Sequence, residues 1–152
     1  MSYKYYWEDF YPGQVREAGG ISLSEEEIIE FAKKYDPQPF HTDREKAKQT
    51  YFGGLIASGW QTAAVCMRLI CDMYLLDAAS LGSPGVDELR WVKPVRAGDT
   101  LHLKSTVLET RASASRPDIG TVRSRSEVYN QNGELVMHMS GVGMFRRRNP
   151  AK

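Results

Sequence analysis

The chain lacks the features that mark membrane, secreted and nucleic-acid-binding proteins. No apolar stretch approaches the ~18 residues that a membrane span requires. The first residues, MSYKYYWED, contain neither the apolar run nor the cleavage site of a signal peptide. The 20 basic and 19 acidic residues leave a net charge of +1, which provides no electrostatic footprint for DNA or RNA. We therefore expect a cytoplasmic protein with no membrane or nucleic-acid partner.

Cysteine and histidine are also scarce. Cys66 and Cys71 fall five residues apart in one helical pattern, so we expect buried free thiols and no disulfide. No group of cysteines and histidines has metal-ligand spacing, and we expect no metal. His102 and His138 lie in strand-like alternating segments and are poor catalytic candidates. His41 is the remaining histidine.

The order of the patterns predicts helices first and strands later, in one domain over residues 1–152. A length of 152 residues with 41% hydrophobic content suffices for a single core. A strand is predicted over 15–21, then a helix that begins after Ser24 in a capping box with Glu27. After a short helix over 44–49, the apolar, proline-free segment from Gly59 to about 76 predicts a long helix buried on most sides.

The second half changes to a period of two, which is typical of strands. Strand candidates cover 86–95, 100–110, 119–129 and 134–147, and the turn sequence NQNG joins the last two as a hairpin. Together with the first strand they predict an antiparallel sheet around the long helix. This order favours an α+β fold over a parallel βαβ array.

The hexapeptide DPQPFH, residues 36–41, is the strongest candidate for a functional site. Asp36 and His41 stand at its ends, and its two prolines predict a stiff loop. An acid and an imidazole held in fixed geometry are able to act on one proton or one water. The alternative is that Asp36 only ends a helix and His41 is a solvated loop residue.

This hexapeptide resembles the hydratase loop of the MaoC-like dehydratases and (R)-specific enoyl-CoA hydratases. In that family Asp, any residue, Asn, Pro, an apolar residue and His follow in this order. Asp36, Pro39, Phe40 and His41 match the pattern, whereas Gln38 stands where the family usually has Asn. We interpret the Asn mainly as loop support and the glutamine as tolerated.

Two further segments are similar to the same family. FGGLIASGW, residues 52–60, resembles the family's entry into its central helix, with Gly59 at the helix start. LGSPGVDELRW followed by KPVRAGD, residues 81–91 and 93–99, resembles the strand and turn that come next. The resemblance covers roughly residues 7–148 and implies the hotdog fold, a curved antiparallel sheet wrapped around one long helix.

The resemblance implies a hydro-lyase that adds water to a trans-2-enoyl thioester, with coenzyme A as part of the substrate and no separate cofactor. Asp36 and His41 would act on the same water, without an assignment of the proton at each stage. The backbone N–H of Gly59, at the N-terminus of the helix, would hold the developing oxyanion. The glycine would also let the thioester approach closely, with the alternative that it only avoids a clash at the helix entry.

Other residues are weaker candidates for substrate contact: Gln38, Phe40, Ser58 and Trp60. Ser58 is more typical of a helix N-cap, and Trp60 and Met67 of core or pocket wall. A basic rim is expected for the phosphates of coenzyme A, without a choice among Arg90, Arg96, Arg116, Arg123, Arg125 and Arg146 to Arg148.

Two other functions remain open. A hotdog thioesterase would use the same pocket for hydrolysis, and a non-catalytic module would only bind acyl thioesters. The family also implies at least a homodimer, with sheets joined edge to edge, because a lone sheet leaves an edge unpaired.

Overall fold

The computed structural model describes residues 2–150. Short 3-10 turns at Trp7–Asp9 and Leu75–Asp77 accompany nine regular elements. In chain order these are β1 (Val15–Ser22), α1 (Glu25–Tyr35), α2 (Pro39–Thr42), α3 (Arg44–Lys48), α4 (Gly59–Met73), β2 (Val86–Trp91), β3 (Thr100–Ala112), β4 (Ile119–Tyr129) and β5 (Leu135–Arg146).

The five strands form one antiparallel sheet in the order β1-β3-β4-β5-β2, and α4 packs against it. The α+β architecture predicted from the sequence is confirmed. Buried residues alternate along β3 and β4, and Val136 and Met137 of β5 join them in the main core, which lies between the sheet and α4. That core joins Cys66, Leu69 and Ile70 of α4 to Leu101, Leu103, Val128, Val136 and Met137 of the sheet.

Helix α1 begins at the predicted capping box. The Ser24 hydroxyl accepts a hydrogen bond from the Glu27 N–H, and the Glu27 carboxylate accepts one from the Ser24 N–H. The helix buries Ile28 and Ala32 against the body of the protein. It ends at Tyr35, and the N–H of the next residue, Asp36, donates to the Ala32 carbonyl at 2.8 Å. The capping box fixes the start of α1, and the buried stripe fixes its orientation. Together they determine the position of the Asp36 carboxylate at the end of the helix.

The long helix is buried or half-buried on most sides, as predicted, but one face is exposed. Helix α4 ends at Met73, and Trp60, Ala64, Met67 and Arg68 lie on an exposed face. Trp60 is 59% exposed. The pattern counts apolar residues, but it does not say whether the same chain or another molecule covers them.

Two further predictions, free cysteines and no membrane-spanning helix, are compared here with the described residues 2–150. Cys66 and Cys71 are both free, but only Cys66 is fully buried, while Cys71 is half-buried near the end of α4. Burial raises the pKa of the Cys66 thiol to about 12, so it remains protonated and unreactive. Among these residues no helix is both long and apolar enough to cross a membrane.

Candidate active site

Asp36 and His41 meet because a short helix folds the chain back after α1. The prediction of a stiff loop over 36–41 is corrected here, since residues 39–42 form α2. Proline suits the first position of a helix, where its missing N–H would have no partner, so Pro39 starts α2 instead of preventing it. The result places Oδ2 of Asp36 3.2 Å from Nε2 of His41.

Two neighbours fix the orientation of the His41 ring. The side chain is buried, and its Nδ1 lies 2.7 Å from the carbonyl oxygen of Ile56. A carbonyl only accepts hydrogen bonds, so Nδ1 carries a proton and donates it. Phe40 packs edge-on against the imidazole at 4.5 Å between ring centres, and its carbonyl accepts from the Ile56 N–H. In the neutral ring, Nε2 is therefore an acceptor that faces Asp36.

The Asp36 carboxylate is held at both oxygens. Oδ1 accepts a hydrogen bond from Nε2 of Gln38 at 2.8 Å, and Oδ2 accepts one from the Ser58 hydroxyl at 2.7 Å. Partial burial raises the pKa of Asp36, but these two hydrogen bonds, together with the positive charge and the Nε2 donor that His41 provides when its ring is protonated, outweigh it, and the pKa lies below its usual value. The carboxylate is thus ionised at neutral pH and free to accept a further proton or hydrogen bond.

Gln38 and Ser58 therefore have roles that the sequence did not reveal. The longer amide of Gln38 reaches back two residues to Asp36 and braces the acid itself. Ser58 is the N-cap of α4, as predicted, since its oxygen accepts from the Trp60 N–H at 3.3 Å. The same hydroxyl donates to Asp36. One fully buried serine thus connects the start of α4 with the Asp36–His41 pair.

Gly59 is in close contact with Trp91 of β2, which the sequence analysis did not consider. A Cβ at residue 59 would lie 2.3 to 2.6 Å from three atoms of the Trp91 indole. The indole Nε1 donates to the Gly59 carbonyl at 2.8 Å. The glycine therefore makes room for a tryptophan of the same chain. The sequence analysis considered the approach of a thioester to this glycine, but not the approach of Trp91.

Two cavities lie along α4. The His41 cavity, of about 280 Å³, is lined by residues that include His41, Phe52, Gly59, Thr62, Trp91 and Val136. The Met67 cavity, of about 310 Å³, is lined by residues that include Ala63, Met67, Ile70, Tyr74, Val86 and Met139. Both are bounded by the same stripe of α4 and by β2 and β5. Together they follow about 16 Å of helix, from residue 59 to residue 70.

The structure places the basic candidates at different distances from the His41 cavity. Arg96 follows a wall residue, Val95, and its guanidinium donates to the Phe52 carbonyl at 2.7 Å. Lys93, which the sequence analysis missed, lines the cavity and pairs with Glu134. Several other candidates form ion pairs away from the cavity walls: Arg90 with Glu88, Arg116 with Asp118, Arg123 with Asp87, Arg125 with Glu127, and Arg148 with Asp9.

The other two histidines lie outside the His41 cavity. The His102 ring packs directly on Gly19 and Gly20 of β1, where no Cβ would fit. His138 pairs with Arg90 in the β2–β5 ladder, and its Nδ1 is 3.4 Å from Nη1 of Arg125. Among residues 2–150 no group of three or more His, Cys, Asp and Glu side chains is arranged to hold a metal.

Comparison with known proteins identifies the family that the hexapeptide over residues 36–41 resembles. The family model described as "MaoC like domain" matches residues 9–130. The protein YdeM of Bacillus subtilis is 31% identical over 124 residues, which are 82% of this chain and 86% of that protein.

Solved structures of this family share the fold over nearly the whole chain. A MaoC-like dehydratase from Rhodospirillum rubrum superposes with a TM-score of 0.88 at 40% identity, covering 95% of this chain and 99% of that one. The (R)-hydratase PhaJ1 from Pseudomonas aeruginosa superposes with a TM-score of 0.75 at 25% identity, covering 96% and 88%. This protein belongs to the MaoC-like dehydratase family and has its hotdog fold.

Proposed function

We propose that the protein is a hydro-lyase that interconverts trans-2-enoyl and 3-hydroxyacyl thioesters. The observation that carries the proposal is the contact between Asp36 and His41, with Nε2 of a buried imidazole facing an ionised carboxylate beside an apolar cavity. The (R)-hydratase and the MaoC-like dehydratase named above support a reaction of this class. We expect no cofactor beyond the coenzyme A of the substrate.

The hydrogen bonds around the pair support its action on one water. Because Ile56 holds the proton on Nδ1, both Nε2 of His41 and Oδ2 of Asp36 are acceptors, and each is able to take a hydrogen bond from the same water. In hydration the water oxygen bonds to the β carbon and one water proton passes to the pair. A proton is then delivered to the α carbon.

The start of α4 supports the third requirement, a donor for the thioester oxygen. Negative charge grows on that oxygen as water adds, and a helix N-terminus stabilises it through free N–H groups and the helix dipole. The Ser58 hydroxyl takes up the Trp60 N–H. We assign the oxyanion to the Gly59 N–H, which lies at the first helical position and beside the His41 cavity. Neither Phe40 nor Trp60 lines the His41 or the Met67 cavity, and the substrate contacts expected for them stay predictions.

The Met67 cavity extends the site in the direction an acyl chain would take. Its walls are mostly apolar, with Met67 and Ile70 from α4 and Val86 and Met139 from the sheet. We assign the acyl chain to this cavity and the thioester to the His41 cavity. The coenzyme A phosphates would then lie outside the His41 cavity, where Lys93 and Arg96 supply positive charge.

The proposal is tested by turnover of trans-2-enoyl-CoA substrates of increasing chain length. We expect loss of the enoyl absorbance without release of free thiol, and a 3-hydroxyacyl-CoA product. Release of thiol from saturated acyl-CoA would instead identify a thioesterase. Tight binding of acyl-CoA with no turnover of any substrate would identify a binding module. Either result contradicts the proposal.

A second copy of the chain is the partner that we propose for the exposed apolar surface. Strand β2 is an edge of the sheet, with unpaired backbone groups on one side, and Val86 at its start and Val92 just after its end are both 54% exposed. Two exposed residues of α4 lie beside this strand, since Trp60 packs against Trp91 and Met67 lines the same cavity as Val86. A twofold contact of β2 with β2 of another copy would pair these backbone groups and cover the face.

Sedimentation velocity should therefore give about twice the chain mass of 17.2 kDa. Trp60→Glu places a charge in the proposed contact and should shift the protein toward the monomer. Leu108→Glu, at a residue 47% exposed on β3, is the matched control and should leave the dimer intact. A wild-type monomer at micromolar concentration would contradict this arrangement.

A further inference from the structure

Trp91 is the part of the His41 cavity that the proposed reaction leaves without a role. It is the last residue of β2, an edge strand, and half of its surface is exposed. Its indole covers the Gly59 backbone and donates from Nε1 to the Gly59 carbonyl at 2.8 Å. The ring also packs edge-on against Trp60, with 5.0 Å between ring centres. A half-exposed tryptophan thus contacts the first turn of α4 through a hydrogen bond and a ring contact.

The hydrogen bond from Trp91 is the first of a series that reaches Asp36. The Gly59 carbonyl and the Trp60 N–H belong to one peptide group, so a donor on the oxygen polarises the N–H at the other end. That N–H donates to the Ser58 hydroxyl, and the hydroxyl donates to Oδ2 of Asp36. Oδ2 is the oxygen that faces His41. The series therefore joins the edge of the sheet to the carboxylate through the N-terminus of α4.

The same peptide group lies beside the proposed oxyanion donor. Rotation of the Gly59–Trp60 peptide would weaken the Ser58 bond and turn the first turn of the helix, and with it the Gly59 N–H. Trp91 opposes this rotation by a hydrogen bond and by ring contact at the same residue. Reactions that depend on fixed donors are sensitive to such shifts, and misplacement by about 1 Å is able to cost about a hundredfold in rate.

We propose that Trp91 is a positioning residue: its indole N–H holds the Gly59–Trp60 peptide so that Ser58 keeps Asp36 in place and the Gly59 N–H faces the substrate. The inference rests on the proposed function for its kinetic consequence, but the hydrogen-bonded series itself does not depend on the reaction. Packing alone would make the ring important and the N–H dispensable.

Trp91→Phe tests the N–H, because phenylalanine keeps an aromatic ring but has no donor. With crotonyl-CoA as substrate we expect kcat to fall by about tenfold and KM to change by less than about twofold. Trp7→Phe is the matched control, since it removes an indole donor of the same kind, which donates to the Thr121 carbonyl at 3.0 Å and lines neither the His41 cavity nor the Met67 cavity. It should keep kcat within about twofold of wild type. Equal losses in the two variants, or a wild-type kcat in Trp91→Phe, would overturn the proposal.

Amide hydrogen exchange separates this proposal from the proposed reaction. In Trp91→Phe the Trp60 amide should exchange about tenfold faster than in wild type, while the Ile28 amide of α1 exchanges at an unchanged rate. If the wild type does not hydrate enoyl thioesters, the proposed function fails and this exchange still reports on the series. Unchanged exchange at Trp60 in an active enzyme would reject Trp91 alone.

Discussion

Replacing Asp36 with asparagine should lower the rate of enoyl thioester hydration by about 10²- to 10⁴-fold and leave the fold intact. Asparagine has the same size, and its oxygen is able to accept a hydrogen bond from Ser58 as the carboxylate does. It is not able to take up a proton from water. The loss should appear in kcat measured with crotonyl-CoA, with the melting temperature as the check on folding.

Asp43→Asn is the matched control, because Asp43 lies just after α2 and has a structural role. Its carboxylate caps α3 by accepting from the Glu45 and Lys46 N–H groups, each at 3.0 Å. Asparagine is an equally good N-cap, so activity and stability should both stay close to wild type. A rate for Asp36→Asn within about tenfold of wild type would exclude Asp36 as the acid or base.

The pH dependence of stability provides a second check on the Asp36 carboxylate. Its pKa is lowered in the folded protein, with the burial effect outweighed by Gln38, Ser58 and His41. A lowered pKa stabilises the fold above the unfolded value of about 3.9, and this stabilisation is lost as the pH falls through the folded pKa. The wild type should therefore exceed Asp36→Asn in unfolding free energy at neutral pH, and the difference should shrink in acid. A difference that stays constant from neutral pH into acid would mean that the ionised carboxylate is not its source.

The sequence identified the acid, the imidazole and the helix that starts at Gly59 because each has a local signal. A capping box and a following proline place Asp36 at the end of α1, and the spacing to His41 is a family pattern. No local sequence pattern indicates which nitrogen of His41 carries the proton. That choice depends on the Ile56 carbonyl, fifteen residues away, which reaches the ring through the fold and not through the pattern.

Contacts with distant segments account for the other features that were missed. Ser58 as an N-cap is a local feature, but its bond to Asp36 spans 22 residues. Trp91 contacts Gly59 across 32 residues, in a strand that the alternating pattern only places in a sheet. The exposed face of α4 was missed for a related reason. Apolar periodicity shows that a helix face needs to be buried, but it does not show whether the same chain or another molecule buries it.

Gly59→Ala should reduce both stability and hydration strongly, because any Cβ at this position overlaps the Trp91 indole. Three indole atoms lie 2.3 to 2.6 Å from the Cβ position, so the ring or the helix must move. Overpacking of this kind typically costs about 1 to 3 kcal/mol of stability. Loss of the Trp91 hydrogen bond adds the kinetic defect expected for Trp91→Phe. Unfolding free energy and kcat are the two measurements.

A double-mutant cycle decides whether the glycine serves the tryptophan or the substrate. In a Trp91→Ala background the overlap is absent, so adding Gly59→Ala should cause no further loss of stability or of kcat if Gly59 only accommodates the indole. If the thioester must approach this backbone closely, as the resemblance implied, Gly59→Ala should lower kcat in the Trp91→Ala background as well. The loss of stability should be absent in both cases, because its cause is the overlap with the indole. A stability loss that persists without Trp91 would mean that the Cβ is excluded by some other contact, and the close approach of Trp91 would not be the reason for glycine at this position.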